Sequence, residues 1–310
     1  MARKVLLATE KAFAKTARDE VIAILKGAGY EVPVLENYKN KSDLIAAVAD
    51  VDAMIIRSDV VDAEVLAAAK NLKLVVRAGA GYDNIDCKGA REKGVDAMNT
   101  PGQNSNAVAE LAIGMMIYMA SGKFGGKSGT ELKGKRLGIH AIGAVGRGVA
   151  AIAKGGFGMT VKAFDVIPPD QIRAAGAEPV ETLEDLYSGS DYISLHIPAN
   201  AQTKKSIGFR LLNMMPKGAC LINTARKEVI DEAGLLEALE KRPDLKYATD
   251  IEPEAATLAV IKEKFADRVF CTPKKLGAQT EEANVNAGLA AARQIVAYFE
   301  QGVKKFIVNP

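Results

Sequence analysis

Residues 136–165 read RLGIHAIGAVGRGVAAIAKGGFGMTVKAFD, and this stretch decides the fold. RLGIHA is an apolar run of strand length and AIGAVG a turn of small residues. From about Gly146 to Gly156 the chain reads as a helix of small residues, TVKAF as a second strand, and Asp165 closes the unit. Strand, tight turn, helix and parallel strand form a β-α-β unit whose turn sets backbone N–H groups at a helix N-terminus, where negative charge is favoured. The turn has the spacing A-x-G-x-x-G, with Ala141, Gly143 and Gly146 at the fixed positions. Gly143 lets the backbone approach a pyrophosphate, the N–H groups of Ala144 and Val145 hold its charge, and Gly146 permits close helix packing. Asp165 follows Gly146 by 19 residues, where a carboxylate accepts from both ribose hydroxyls and repels a 2′-phosphate, so NAD is expected rather than NADP. Alanine at the first position of such a turn requires a negative φ, which is therefore expected at Ala141. A small-residue turn before a helix is common; the full context from the strand to Asp165 carries the reading.

Working outward, strand-length apolar runs alternate with amphipathic stretches on both sides. Before the unit come VLLAT, Phe13 to Leu25, VPVL, Leu44 to Val48, AMIIR, Val65 to Ala69 and LKLVV; after it come Leu183 to Tyr187, YISLHI, ACLINTA, LKYATDI and RVFCTP. This alternation predicts α/β architecture with two doubly wound parallel-sheet domains, the second with six or seven strands. Two long helices, about Ser105 to Met119 and Glu281 to Glu300, join the two series, and KFIVN reads as a short tail strand. The arrangement implies a discontinuous first domain, residues 1–98 and 285–310, flavodoxin-like in type, into which a Rossmann-like domain, 99–284, is inserted.

A chain of 310 residues suits two cores, and 48% hydrophobic with 25% charged residues excludes a disordered or fibrous protein. Basic and acidic residues, 41 against 38, give a net charge of +3 without long like-charge runs, so neither nucleic acid nor a membrane surface is expected as a partner. The longest apolar stretch, Leu111 to Ala120, is about half a bilayer span. Val5 to Ala8 is too short for an export signal. Cys87, Cys220 and Cys271 are widely separated and lack metal-ligand spacing; free thiols, no metal and a cytoplasmic location are expected.

Further segments carry a resemblance along nearly the whole chain. They are IIRSD (55–59), RAGAGYDNID (77–86), NTPGQNSNAVAE (99–110), SLHIPAN (194–200), INTARKEVIDE (222–232) and TPKKLGAQTEEA (272–283). The chain resembles the D-2-hydroxyacid dehydrogenases, and through RAGAGYDNID and NTARKEVID the phosphoglycerate dehydrogenases among them, short forms included. The resemblance implies a substrate-binding first domain, an NAD-binding inserted domain, an active site to which both contribute, and a homodimer. Because the sequence stops just after KFIVN, the serine-sensing regulatory domain of longer relatives is expected to be missing. The implied reaction is NAD-dependent oxidation of D-3-phosphoglycerate to 3-phosphohydroxypyruvate, an entry to serine. Arg226 takes the place of the catalytic arginine, whose planar fork binds a carboxylate and polarises the adjacent oxygen. Arg57, Ser58, Gly79 and Asn104 match substrate-facing positions. Thr224, Ala225, Asp250, Gly277 and Ala278 match positions around the nicotinamide, and His196, Ile197 and Pro198 the adenosine rim.

One departure bears on mechanism. Relatives place a histidine directly after the Thr-Pro of the last motif and pair it with a glutamate about five residues beyond the aspartate matching Asp250. Here Lys274 and Lys275 follow Thr272-Pro273, and Ala255 stands in the glutamate's register. Only two histidines exist, His196 on the adenosine rim and His140 inside the first strand of the nucleotide unit, so a lysine is expected to carry the proton. Counting from the strand end selects Lys274, and counting back from LGAQTEEA selects Lys275; the former is preferred. Losing the glutamate suits a lysine, since a nearby carboxylate would hold it protonated. Two other readings stand beside this one. The first is a hydroxypyruvate or glyoxylate reductase on the same scaffold. The second is a non-catalytic, NAD-responsive binding protein, to which the missing histidine lends weight.

Overall fold

The computed structural model describes residues 2–126 and 128–310. It divides into two compact units, one running to Asn104 and resuming at Gln279–Pro310, the other Ser105–Ala278. Each division lies six residues from the boundary expected above, in the loops ahead of the two long helices. A helix is the natural place for the chain to change units, because one rigid element then belongs wholly to one core.

The first unit runs β1 (Val5–Thr9), α1 (Lys15–Gly27), β2 (Val34–Glu36), α2 (Lys41–Ala47), β3 (Ala53–Ile56), α3 (Ala63–Ala68), β4 (Leu74–Arg77), α4 (Cys87–Glu92) and β5 (Asp96–Asn99). Its parallel sheet has the order β2-β1-β3-β4-β5, the flavodoxin-like winding. β1, β3 and most of β4 are buried on both faces, as helices on either side require of continuous apolar runs. The second unit runs α5 (Ser105–Ala120), β6 (Arg136–His140), α6 (Ala144–Phe157), β7 (Thr160–Phe164), α7 (Pro169–Ala174), β8 (Glu178–Pro179), α8 (Leu183–Ser188), β9 (Tyr192–Leu195), α9 (Phe209–Met214), β10 (Cys220–Asn223), α10 (Glu232–Lys241), β11 (Lys246–Thr249), α11 (Ala255–Lys264) and β12 (Val269–Cys271). Its seven strands are parallel in the order β12-β11-β10-β9-β6-β7-β8. The order reverses between β6 and β9, and ligands of such sheets sit outside the carboxyl ends at that reversal.

The closing helix α12 (Glu281–Gln301) returns to the first unit and ends at Gly302, whose φ of 67° the lack of a Cβ allows. It packs its alanine-rich face, Ala287, Ala291 and Ala292, against the core that holds β1 and β4. The tail KFIVN is not the strand expected from its pattern. Only Ile307 pairs, in an isolated antiparallel bridge with Met98. The tail is tied by polar groups instead: the Asn309 side chain donates to the carbonyls of Cys87 and Val95 and accepts from the Ala97 N–H, and Lys304 pairs with the buried Asp96. No described helix is long and apolar enough to cross a membrane.

Candidate active site

The sequence-selected residues lie at or just beyond the carboxyl ends of strands, where parallel sheets gather their ligands. In the second unit the turn after β6 leads into α6. Gly143 caps that helix with no side chain bonded to its free N–H groups, and no acidic residue stands in the first turn, so the helix N-terminus is open to an anion. A Cβ built on Gly143 would meet nothing within 4 Å, whereas one on Gly146 would approach the Ala141 carbonyl oxygen to 2.5 Å. Gly143 thus faces room for a phosphate, and Gly146 is needed for packing. The expectation of a negative φ at Ala141 is overturned: its φ is 75°. The N–H of Ala141 donates to the Phe164 carbonyl at 2.9 Å, which helps hold the left-handed turn with a Cβ in place.

Asp165, expected at a ribose, is engaged by the backbone. Its carboxylate accepts from the N–H groups of Ile142 and Val166, each at 2.6 Å, and from Ile167 at 3.4 Å. It therefore also holds the glycine turn to the end of β7. Beyond β9, His196 is half-buried and its Nε2 lies 2.9 Å from Ser194 Oγ; burial, with His140 nearby, lowers its pKa to about 3. His140 is buried between the rings of Phe164 and Tyr187, and burial lowers its pKa to about 4. Both imidazoles are neutral at physiological pH, and His140 belongs to the core. Ile197 is buried and Pro198 exposed on the same segment.

The carboxyl ends of β10, β11 and β12 bring a second group together. Asn223, fully buried at the end of β10, accepts from the Ala225 N–H through Oδ1 at 3.0 Å and donates through Nδ2 to the Arg226 carbonyl at 3.1 Å. This one side chain braces the loop Thr224-Ala225-Arg226. Arg226 is half-buried, and its Nη1 donates to the Ala225 carbonyl at 2.9 Å. Lys275 Nζ donates to that same carbonyl at 3.4 Å. Asp250 lies fully buried; burial raises its carboxyl pKa, while the Gly277 N–H and the charges of Lys275 and Arg226 oppose the rise. Its Oδ2 accepts from Gly277 N at 2.9 Å. Of the two lysines, Lys275 is thus drawn to Ala225, Arg226 and Asp250. Both lysines are exposed; Lys274 engages the segment through its carbonyl, which accepts from the Thr272 hydroxyl. The contact with Ala225 is thus made by Lys275, whereas counting from the strand end favoured Lys274.

Two buried atoms here have no hydrogen-bond partner among the described residues, Thr224 Oγ1 and Asp250 Oδ1. Buried polar atoms are seldom left unpaired, and a carboxamide supplies the N–H donors that a carboxylate oxygen can accept. With the open α6 terminus and Asp165, these orphans fit a nicotinamide dinucleotide. The half-buried Ala278 follows Gly277 on the same segment. Among the described residues no group of three or more His, Cys, Asp or Glu could hold a metal ion.

In the first unit, Arg57 follows β3. Its Nη1 donates to the carbonyls of Lys11 and Ala12 at 2.9 and 3.1 Å, Nη2 donates to the Asn284 side chain, and the guanidinium lies over the Phe13 ring, 4.9 Å from the centroid. Of its five N–H donors, Nε–H and one Nη2–H remain outside these bonds. Buried Asp59 fixes the base of the loop by accepting from the N–H groups of Glu10 and Arg57 and from the Tyr38 hydroxyl. Ser58 is exposed beside it. Gly79, after β4, has a φ of 150°, which favours glycine, and the end of the Arg77 side chain occupies the place a Cβ would take. Half-buried Asn104 closes the unit's first segment. Sequence reasoning missed Asn223, Asp59 and Asn284 as braces. An asparagine ending an apolar strand is a signal for the first; nothing local announces the others.

The chain matches the model of the D-isomer specific 2-hydroxyacid dehydrogenase NAD-binding domain over residues 111–273. It is 35% identical to a hydroxypyruvate reductase of Thermotoga maritima over 86% of this chain and 90% of that one. It is 34% identical to a D-3-phosphoglycerate dehydrogenase of Methanocaldococcus jannaschii, over 94% of this chain but only 57% of that protein's length. The NAD+-bound 3-phosphoglycerate dehydrogenase of Entamoeba histolytica superposes with a TM-score of 0.88 at 44% identity, covering 100% of this chain and 99% of that one.

Proposed function

We propose that this chain, which belongs to the D-isomer specific 2-hydroxyacid dehydrogenase family, oxidises D-3-phosphoglycerate at C2 with NAD to give 3-phosphohydroxypyruvate. The observation that carries the reading is the shared carbonyl of Ala225, which accepts from both Lys275 Nζ and Arg226 Nη1. A base and a carboxylate-binding fork are thereby held a few ångströms apart. Bound NAD supplies the hydride acceptor. Arg226 grips the substrate carboxylate and polarises the C2 oxygen; neutral Lys275 takes the hydroxyl proton as the C2 hydride leaves. Thr224 and Asp250 hold the carboxamide end of the cofactor, Gly277 and Ala278 border it, and Asp165, His196, Ile197 and Pro198 flank its adenosine. The first unit serves the substrate: the free N–H groups of Arg57, with Ser58, Gly79 and Asn104, meet the phosphate end. A substrate of about three negative charges, counting ~1.5 to 2 on its phosphate, suits two arginines and a lysine.

The test is a pair of single variants. Lys275→Met should lose about 10²- to 10⁴-fold in kcat, the usual worth of a general base, with NAD affinity within threefold. Lys274→Met should keep most activity. Full activity in Lys275→Met overturns the lysine mechanism. The hydroxypyruvate reductase reading gains support from the three N–H donors that Arg57 already commits within its own unit. Relative kcat/KM on phosphoglycerate, glycerate and hydroxypyruvate separates the two, and a chain that forms no NADH or NAD+ with any of them is a binding protein instead. The reading includes a cytoplasmic homodimer; a monomer in light scattering refutes that part alone.

A further inference from the structure

Three neighbouring strands of the second unit each close on a buried polar side chain that bonds the backbone of the loop beyond it. At β10 it is Asn223, which holds Ala225 and Arg226. At β11 it is Thr249, whose hydroxyl accepts from the Ile251 N–H at 3.1 Å and so fixes the chain on either side of Asp250. After β12 it is Thr272, only 3% exposed. Its N–H donates to the Thr249 carbonyl at 3.0 Å, which extends the ladder by one residue, and its hydroxyl donates to the Lys274 carbonyl at 2.8 Å. The loops held in this way carry Arg226, Asp250 and Lys275 in turn.

The backbone at Lys275 lies between two tethers. On one side the Thr272 hydroxyl fixes the Lys274 carbonyl, and with it the plane of the peptide that enters Lys275. Pro273 stands in between, and its ring locks φ, which leaves that carbonyl few other directions. On the other side the Gly277 N–H donates to Asp250 Oδ2 at 2.9 Å. From this anchored root the side chain reaches the Ala225 carbonyl, whose amide Asn223 holds. A lysine amine rides on a flexible four-carbon stem, so directing it at one atom requires that its root be held still.

We propose that Thr272 is a positioning residue for proton transfer: by holding the Lys274 carbonyl, its hydroxyl sets where Lys275 Nζ stands relative to Arg226. The inference rests on the reading of Lys275 as the base, and Thr272 acts through that lysine rather than on the reacting atoms. The test is a double-mutant cycle on the full chain, using NAD and the faster of D-3-phosphoglycerate and D-glycerate. Its readout is the single-turnover rate constant of NADH formation, which does not depend on the fraction of active protein. Thr272→Val keeps the shape and removes the hydroxyl; it should slow that step about ten- to a hundredfold, the cost of misplacing a reacting group by about 1 Å, with NAD affinity within about threefold. Thr272→Ser keeps the hydroxyl and should come within about threefold of the wild type. In a Lys275→Met background, Thr272→Val should cost less than about twofold, because the two changes remove one and the same contribution. A threonine that only supports the fold would lower Tm in both backgrounds and leave the rate constant alone. A wild-type rate in Thr272→Val, an equal loss in Thr272→Ser, or an undiminished loss in the Lys275→Met background would each overturn the proposal. Full activity in Lys275→Met, or no turnover of either acid by the wild type, ends both the lysine mechanism and this inference; a disabled Lys275→Met beside an unaffected Thr272→Val ends the inference alone.

Discussion

Replacing Ala141 with glycine should stabilise the protein by about 1 kcal/mol, because the wild-type turn holds an L residue at a φ of 75°. A left-handed backbone brings Cβ against the following carbonyl oxygen, at ~1–2 kcal/mol. Glycine removes that strain, yet restores freedom to the unfolded chain worth ~0.4–1 kcal/mol, so the net is a gain of about 1 kcal/mol or a little less. The residue cannot escape by rotating. Its N–H is bonded to the Phe164 carbonyl, and the next residue's N–H, that of Ile142, is bonded to Asp165. Adding branching should act the other way: Ala141→Val crowds the same oxygen further and should cost ~2 kcal/mol or more. Calorimetry reads both. For a domain of this size 1 kcal/mol moves Tm by ~2–4 °C, upward for the glycine variant and downward by about twice that for valine. NAD affinity of the glycine variant should stay within threefold, because the phosphate-facing N–H groups belong to Ala144 and Val145. A glycine variant that melts no higher than wild type, beside a valine variant that melts no lower, would show that the backbone is not held in the left-handed region and would refute the reasoning.

Asp165→Asn should raise the ratio of NADP to NAD kcat/KM at least tenfold while lowering Tm only slightly, since a carboxamide oxygen can still accept from Ile142; Asp165→Ala should in addition lose ~1–3 kcal/mol of stability by orphaning the N–H groups of Ile142 and Val166. Unchanged cofactor preference in both removes Asp165 from the ribose site. Arg57→Ala should cut kcat/KM for phosphoglycerate roughly ten- to a hundredfold more than for glycerate, and equal losses would end its phosphate role; Tm should fall as well, because the carbonyls of Lys11 and Ala12 lose their donor. His140 is held by burial at a pKa of about 4, below its ordinary ~6.5, so the unfolded chain binds the extra proton first. The stability this gives is complete above pH 6.5 and is lost as pH falls toward 4, on the order of 2 kcal/mol between pH 7 and 5. His140→Leu should flatten that part of the urea-midpoint profile, and an unflattened slope assigns it elsewhere.

The fold was legible because its signals are local and repeated. Apolar runs such as VLLAT and ACLINTA mark strands buried on both faces, and the turn at 141–146 announces which strand leads into the nucleotide helix. The tail was misread because KFIVN is an apolar run of strand length, whereas Lys304 and Asn309 have polar partners on β5 that fix the backbone without a ladder. The φ of Ala141 was misjudged since sequence shows the replaced glycine but not the bonds from Ala141 and Ile142 to the end of β7 that hold the turn. The site divides in the same way. Residues within motifs, Arg226 and Asp250 among them, could be singled out as candidates in advance. The choice between Lys274 and Lys275 could not, because it depends on which amine reaches a carbonyl fifty residues earlier in the chain. The bracing of Arg57 by Asn284, 227 residues away, is invisible in sequence for the same reason.

Under the proposed mechanism the lysine also bears on the direction in which the site works best. An imidazole near its ordinary ~6.5 offers both protonation states at neutral pH, so a histidine serves oxidation and reduction about equally. A lysine amine at its ordinary ~10.4 is neutral in only about one molecule in 2,500 at pH 7; as a base for oxidation it is scarce, and as an acid for reduction it is nearly always ready. Placing Lys275 beside Arg226 disfavours the ammonium, while the buried Asp250 carboxylate and an anionic substrate favour it. The carboxylate's own elevated pKa limits that second influence, because a proton on Asp250 removes the counter-charge that would hold the lysine protonated. Oxidation therefore has to gain rate with rising pH until the amine is largely neutral, and reduction has to lose it over the same interval.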